Sequence, residues 1–278
     1  MIPLHIYSGA GNNFVVADGR KGFSDPADVS QIQEIPSIVS LCTRYSTDGL
    51  MVLADSDDYD FSMIYYNPDG SGGMMCGNGG RCIVAFAADL GVPHRDPSKY
   101  VFMAPDGVHE AQILSETDGV KTVRLKMKDV SAIEHYDSLD VPVESKGYFL
   151  DTGTRHYVRF ISDVDDLDIE TEGKAIRWAR ELGPIGANVN FVTPRHTPDG
   201  TILDVRTFEK GVERETLACG TGIVASAIAA WKHGIVPTTA TDRKVSYAIK
   251  ARGGSLSVDF IPAEVAVCVY LTGPACEI

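Results

Sequence analysis

Met75-Cys76-Gly77-Asn78-Gly79 opens one run of small residues, and Ala218-Cys219-Gly220-Thr221-Gly222 opens another. The two cysteines stand 143 positions apart, about half of a 278-residue chain. Each run continues in Ala, Ile and Val and closes on Gly91-Val92 or Gly234-Ile235. Glycine is favoured just past a helix end, so each motif predicts a buried helix headed by a cysteine. At that position unpaired backbone N–H groups and the helix dipole favour a thiolate.

The echo extends outward from the cysteines. At the same offset Ala87 falls on Ala230 and Gly91 on Gly234. Near the start of each half, Ser8–Phe14 is echoed by Thr152–Val158, with Asn12 against His156. Before each cysteine a run of β-formers, Ser62–Tyr66 or Leu203–Phe208, leads into Asn67 or Glu209. Each half therefore reads as strand, turn, strand, glycine turn, buried helix, strands. That order predicts two similar α+β domains with a cleft between them. The polar stretch from Lys128 to Gly147 holds the boundary, giving halves at residues 1–130 and 131–263, with a last strand at 264–278 returning to the first half. Further strands are expected at Thr122–Met127, His156–Ile161, Ser255–Phe260 and Ala266–Thr272, and a surface helix around Arg177–Leu182.

Composition narrows the function classes. A net charge of −13 argues against nucleic acid, which needs a basic surface. No apolar run reaches membrane-spanning length, and the N-terminus lacks the pattern of a signal peptide, so a cytoplasmic protein is expected. Six cysteines in a chain this long are too few for a disulfide scaffold. No C-x-x-C or H-x-x-x-H pair signals zinc, and no metal is expected.

Two thiols from two halves suit a reaction that needs a base and an acid on opposite faces of one carbon, which is racemisation or epimerisation. Without a cofactor, the enzyme must set a strong base against the α-hydrogen and stabilise the charge that develops. The N–H groups exposed at Gly77-Asn78-Gly79 and Gly220-Thr221-Gly222 form anion sites suited to one substrate carboxylate. His156, the one histidine in a matched motif, stands where an imidazole could take a thiol proton. Glu209, ten residues before Cys219, is a candidate for holding a substrate ammonium or poising that thiol.

The segments Ser8–Phe14 (SGAGNNF), Asn67–Cys82 (NPDGSGGMMCGNGGRC), Asp151–Val158 (DTGTRHYV), Gly186–Val192 (GANVNFV) and Glu209–Gly222 (EKGVERETLACGTG) resemble, in order, the signatures of the diaminopimelate epimerase family. The resemblance implies two pseudo-symmetric domains, each a barrel-like, mainly antiparallel sheet around a central helix, with the active site in the cleft between them. It implies PLP-independent conversion of LL-2,6-diaminopimelate to the meso form, a step in lysine and peptidoglycan synthesis, and a homodimer. By motif, Cys76 and Cys219 become the acid/base pair, with His156 and Glu209 beside them. Gly77, Asn78, Gly220 and Thr221 hold the reacting carboxylate, and Asn12, Asn67, Asn188 and Glu209 contact substrate. Lys210 stands where the family usually carries the Arg that grips the distal carboxylate, Thr154 where many members have Asn, and Arg155 where Pro is common. Two alternatives stay open: a two-thiol racemase acting on another amino acid such as histidine or hydroxyproline, and a non-catalytic amino-acid-binding protein.

Overall fold

The computed structural model describes residues 2–73, 75–198 and 200–278. The chain divides into two compact units. One runs to Lys126 and takes back Thr272–Ile278, and the other is Met127–Leu271.

The first unit begins with a hairpin, β1 (His5–Gly9) and β2 (Asn12–Asp18). Its turn residues Ala10 and Gly11 both take positive φ, 54° and 87°, the geometry that matches the twist of tightly joined strands. Helices α1 (Pro26–Ile32) and α2 (Ile35–Tyr45) carry the chain over to β3 (Leu50–Ala54), parallel to β2, and β4 (Phe61–Tyr66) returns antiparallel. Helix α3 (Gly77–Asp89) then crosses to β5 (Tyr100–Ala104), parallel to β4. The meander β6 (Gly107–Thr117) and β7 (Val120–Lys126) follows.

The second unit repeats this plan. Strand β8 (Ile133–Tyr136) pairs with β9 (Gly147–Asp151), which forms a hairpin with β10 (Arg155–Phe160). Helix α4 (Ile169–Arg177) crosses to β11 (Asn188–Thr197), parallel to β10, and β12 (Gly200–Glu209) returns antiparallel with the short β13 (Arg214–Thr216) beside it. Helix α5 (Gly220–Lys232) is followed by β14 (Thr239–Ala240), then β15 (Val245–Ala251), parallel to β12, and β16 (Gly254–Pro262). Strand β17 (Ala266–Glu277) passes from the second unit into the first, where it pairs with both β7 and β1. The sequence of parallel and antiparallel pairings is the same in both units, so each is an α+β barrel-like sheet with a crossover helix in its core.

The two crossover helices are enclosed because most of their residues are small or apolar, Asn78 and Arg81 being buried polar exceptions on α3. Gly77 to Ala87 of α3 are all buried, as are Gly222 to Ala230 of α5. Each fully buried aliphatic side chain on them contributes about 1.5–3 kcal/mol.

The expected surface helix over Arg177–Leu182 is displaced. Asp168 caps α4 through the Thr171 N–H, so the helix starts earlier and ends near Arg177, and Arg180–Leu182 forms a single 3-10 turn. Ile176, Arg177 and Leu182 are buried, because this segment covers the core around Phe191 and Phe208. Among the described residues no helix is long and apolar enough to cross a membrane.

Candidate active site

In the first unit Cys76 is the N-cap of α3, in extended conformation, and its Sγ accepts the Gly79 N–H at 3.2 Å. A sulfur in this position takes the place of the usual capping oxygen. Helix dipole and backbone N–H thus both act on the half-buried Cys76 thiol. Asn78, buried in the first turn, donates its Nδ2 to Asn12 Oδ1 at the end of the β1–β2 turn. Gly9 is the reason this turn can lie on α3: a Cβ there would sit 2.9 Å from the Asn78 carbonyl oxygen. Asn67 is engaged with its own loop. Its N–H binds the Ser71 carbonyl at 2.9 Å and its Nδ2 reaches Ser71 Oγ at 3.0 Å.

In the second unit Cys219 is the N-cap of α5 and is buried. Its Sγ lies 3.5 Å from Thr221 Oγ1, which in turn lies 3.0 Å from His156 Nε2. Thr154 Oγ1 completes a triangle, 2.9 Å from the same Nε2 and 3.1 Å from the Thr221 hydroxyl. On the other side of the ring, Asn190 Nδ2 approaches His156 Nδ1 at 3.0 Å, and Asn190 Oδ1 accepts from Thr207 Oγ1. The imidazole is wholly buried, and burial drives its pKa down to about 3. At neutral pH it is therefore an uncharged hydrogen-bonding group.

Around this cluster, Asn188 Oδ1 accepts the Lys210 backbone N–H at 2.8 Å and Asn188 Nδ2 donates to the Arg155 carbonyl at 3.0 Å. Glu209 Oε2 accepts from Thr216 Oγ1 at 2.8 Å. The turn bearing Lys210 is fixed by Glu213, whose carboxylate takes the Gly211 N–H and the guanidinium of buried Arg177.

The first unit thus joins Cys76, Gly77, Asn78 and Asn12, and the second joins Cys219, Gly220, Thr221, His156 and Asn188, with Lys210 attached through its backbone N–H and Glu209 hydrogen-bonded to Thr216. Sequence reasoning missed Arg81 and Asn190. Their one signal was a polar side chain inside an apolar stretch, Arg81 on a helix of Gly, Ala and aliphatics and Asn190 in a run of Val and Phe.

Two units on one plan, each with a cysteine heading its enclosed helix, define an enzyme of the racemase and epimerase class. Solved structures share this fold. A phenazine biosynthesis protein of the PhzF family from Bacillus anthracis superposes with TM-score 0.72 at 14% identity, covering 99% of this chain and 96% of that one. A hydroxyproline epimerase from Agrobacterium vitis superposes with TM-score 0.63 at 16% identity, covering 100% and 90%. The sequence profile of diaminopimelate epimerase matches residues 4–131 and 148–277, and the chain belongs to that family. It is similar to diaminopimelate epimerases from Flavobacterium psychrophilum, 37% identical across 99% of this chain and 97% of the relative, and from Chlorobaculum tepidum, 40% identical across 96% of each.

Proposed function

We propose that this enzyme interconverts LL- and meso-2,6-diaminopimelate without a cofactor, using Cys76 and Cys219 as alternating base and acid. The observation that carries the reading is the pair of N-cap cysteines, one on each crossover helix, in a chain of this family. One thiolate takes the α-proton, leaving an enolate-like carboxylate. The thiol on the other face returns a proton to the same carbon, so substrate and product are isomers and the enzyme ends with its thiol and thiolate exchanged. The N–H groups after each cysteine stabilise the carboxylate charge as the α-proton leaves.

In this reading Asn12, Asn67 and Asn188 make polar contacts to substrate, Glu209 holds an ammonium, and the Lys210 ammonium pairs with the distal carboxylate. Each of the two units supplies one thiol. A cytoplasmic homodimer is the proposed setting, with light scattering deciding the oligomeric state.

The test is α-proton exchange in D₂O, followed by NMR with LL-diaminopimelate and reduced enzyme without pyridoxal phosphate. Exchange with conversion to the meso form supports the reading. Full turnover by both Cys76→Ala and Cys219→Ala overturns the mechanism. Lys210 in place of Arg favours a second reading, another amino acid as substrate, and exchange with histidine or hydroxyproline but not diaminopimelate selects it.

A further inference from the structure

Arg81 lies in the second turn of α3, five residues beyond Cys76, and its side chain is wholly buried. Its guanidinium donates to the Gly77 carbonyl at 3.0 Å, to Asn78 Oδ1 at 2.9 Å and, more distantly, to the Pro274 carbonyl at 3.5 Å. All three acceptors are neutral. Among the described residues no carboxylate forms an ion pair with it. The other buried arginines differ: Arg20 meets Asp18, Arg159 meets Glu144 and Glu172, and Arg177 meets Glu213. Burying an unneutralised guanidinium is costly, and a hydrophobic residue of similar volume would avoid that cost. The positive end of the helix dipole adds to it. Burial pulls this guanidinium down to about 10.

Two anions can answer the charge, because ionised Cys82 and Cys76 both favour the protonated guanidinium. Cys82 is wholly enclosed and its thiol is pushed far up by burial, so it stays protonated. Cys76, half-buried at the head of the helix, remains. The other titratable groups that face α3 from packed strands are His5 and Tyr7 of β1, Lys121 of β7, and Cys276 and Glu277 of β17. Tyr7 and Lys121 engage Asp89 at the far end of the helix, and His5 engages Glu277.

We propose that Arg81 is a positioning residue of the first half-site, a resident positive charge that favours the Cys76 thiolate while its fork fixes the Asn78 amide. The proposal rests on the reading of Cys76 as a proton-carrying thiol. With Oδ1 of Asn78 held by Arg81, Nδ2 is directed to Asn12, so one guanidinium orients both amides. The second unit has no counterpart: Val224 occupies the equivalent place in α5. The influence of Arg81 is therefore specific to Cys76.

Iodoacetamide alkylation of each cysteine, followed by peptide mass spectrometry from pH 5 to 9.5, reads thiol ionisation without substrate. Its outcome is thus independent of whether diaminopimelate is turned over. In wild-type protein the Cys76 midpoint falls below the ordinary thiol value of about 8.5. A midpoint at or above that value overturns the proposal, whether or not Arg81→Gln folds. In folded Arg81→Gln, alkylation of Cys76 at pH 7 slows about tenfold, a midpoint shift of about one unit, while the Cys219 profile stays in place. Arg81→Lys keeps the charge but loses the fork, so its Cys76 midpoint is retained while kcat falls. An unchanged Cys76 midpoint in Arg81→Gln, or equal shifts at both cysteines, overturns it too.

Discussion

The Asn190 amide donates to Nδ1 of His156 at 3.0 Å, and this contact decides where the imidazole proton lies. With Nδ1 accepting, a neutral ring carries its hydrogen on Nε2, directed at the hydroxyls of Thr154 and Thr221. The Thr221 hydroxyl, accepting from the ring, has Thr154 Oγ1 at 3.1 Å and Cys219 Sγ at 3.5 Å as its other hydrogen-bond partners. The imidazole is thus linked to the thiol through an intervening hydroxyl.

Asn190→Asp tests this chain. A carboxylate cannot donate to Nδ1, so the proton moves there and Nε2 becomes an acceptor that competes with Cys219 for the Thr221 hydrogen. We expect kcat to fall about 10- to 100-fold with KM little changed, and the ¹⁵N shifts of the His156 ring to report the exchanged tautomer. An unchanged ring spectrum would refute the chain. Asn190→Ala instead strands buried His156 and Thr207 and costs on the order of 2–3 kcal/mol.

The same imidazole makes stability depend on pH. An unfolded chain protonates His156 near 6.5, whereas the folded protein resists protonation until about 3. Between those values the unfolded state binds more protons, so stability rises with pH and is lost on acidification. Each unit below 6.5 costs about 1.4 kcal/mol from this group. Urea midpoints measured from pH 7 to 4 should therefore fall more steeply in wild type than in His156→Gln; parallel curves would contradict the assignment.

Two glycines hold the half-sites together by their lack of a side chain. A Cβ on Gly222 would collide with Asn190 Oδ1, and one on Gly9 would lie 2.8 Å from Cys82 Sγ and 2.9 Å from the Asn78 carbonyl oxygen. Gly222→Ala and Gly9→Ala should each destabilise by about 1–3 kcal/mol, and each should lower kcat by displacing one cysteine's helix. Thermal unfolding and turnover of the two variants check this; wild-type values in both would sink it.

Lys210 supplies a point charge where a guanidinium would supply a planar fork. Lys210→Ala should raise KM for diaminopimelate about tenfold with kcat nearly kept, the signature of lost uniform binding. Lys210→Arg should lower KM. Glu213→Gln frees the turn that Arg177 anchors, and should raise KM several-fold while exposing Gly211 to limited proteolysis.

The twin cysteine motifs made much of the fold legible, because a glycine-flanked run of small residues has few uses other than an enclosed helix. The strands before each cysteine were legible from their β-branched and aromatic residues. Arg81 and Asn190 were not, since neither sits in a periodic pattern and their roles come from partners distant in sequence, Pro274 for one and His156 and Thr207 for the other. The histidine's protonation was equally hidden: residue type says that it can titrate, and only its enclosure says that it stays neutral until well below pH 6.5. A surface helix was expected around Arg177–Leu182, whereas Arg177 turns inward to Glu213 and the Ile185 carbonyl.

Strand β17 ends the chain yet belongs in its last half to the first unit, beside β1. Without Thr272–Ile278 the first unit would be one stave short, while the second would keep all of its residues. Completion of the first unit thus depends on residues far from it in sequence, and deleting those seven should open the first unit while sparing the second.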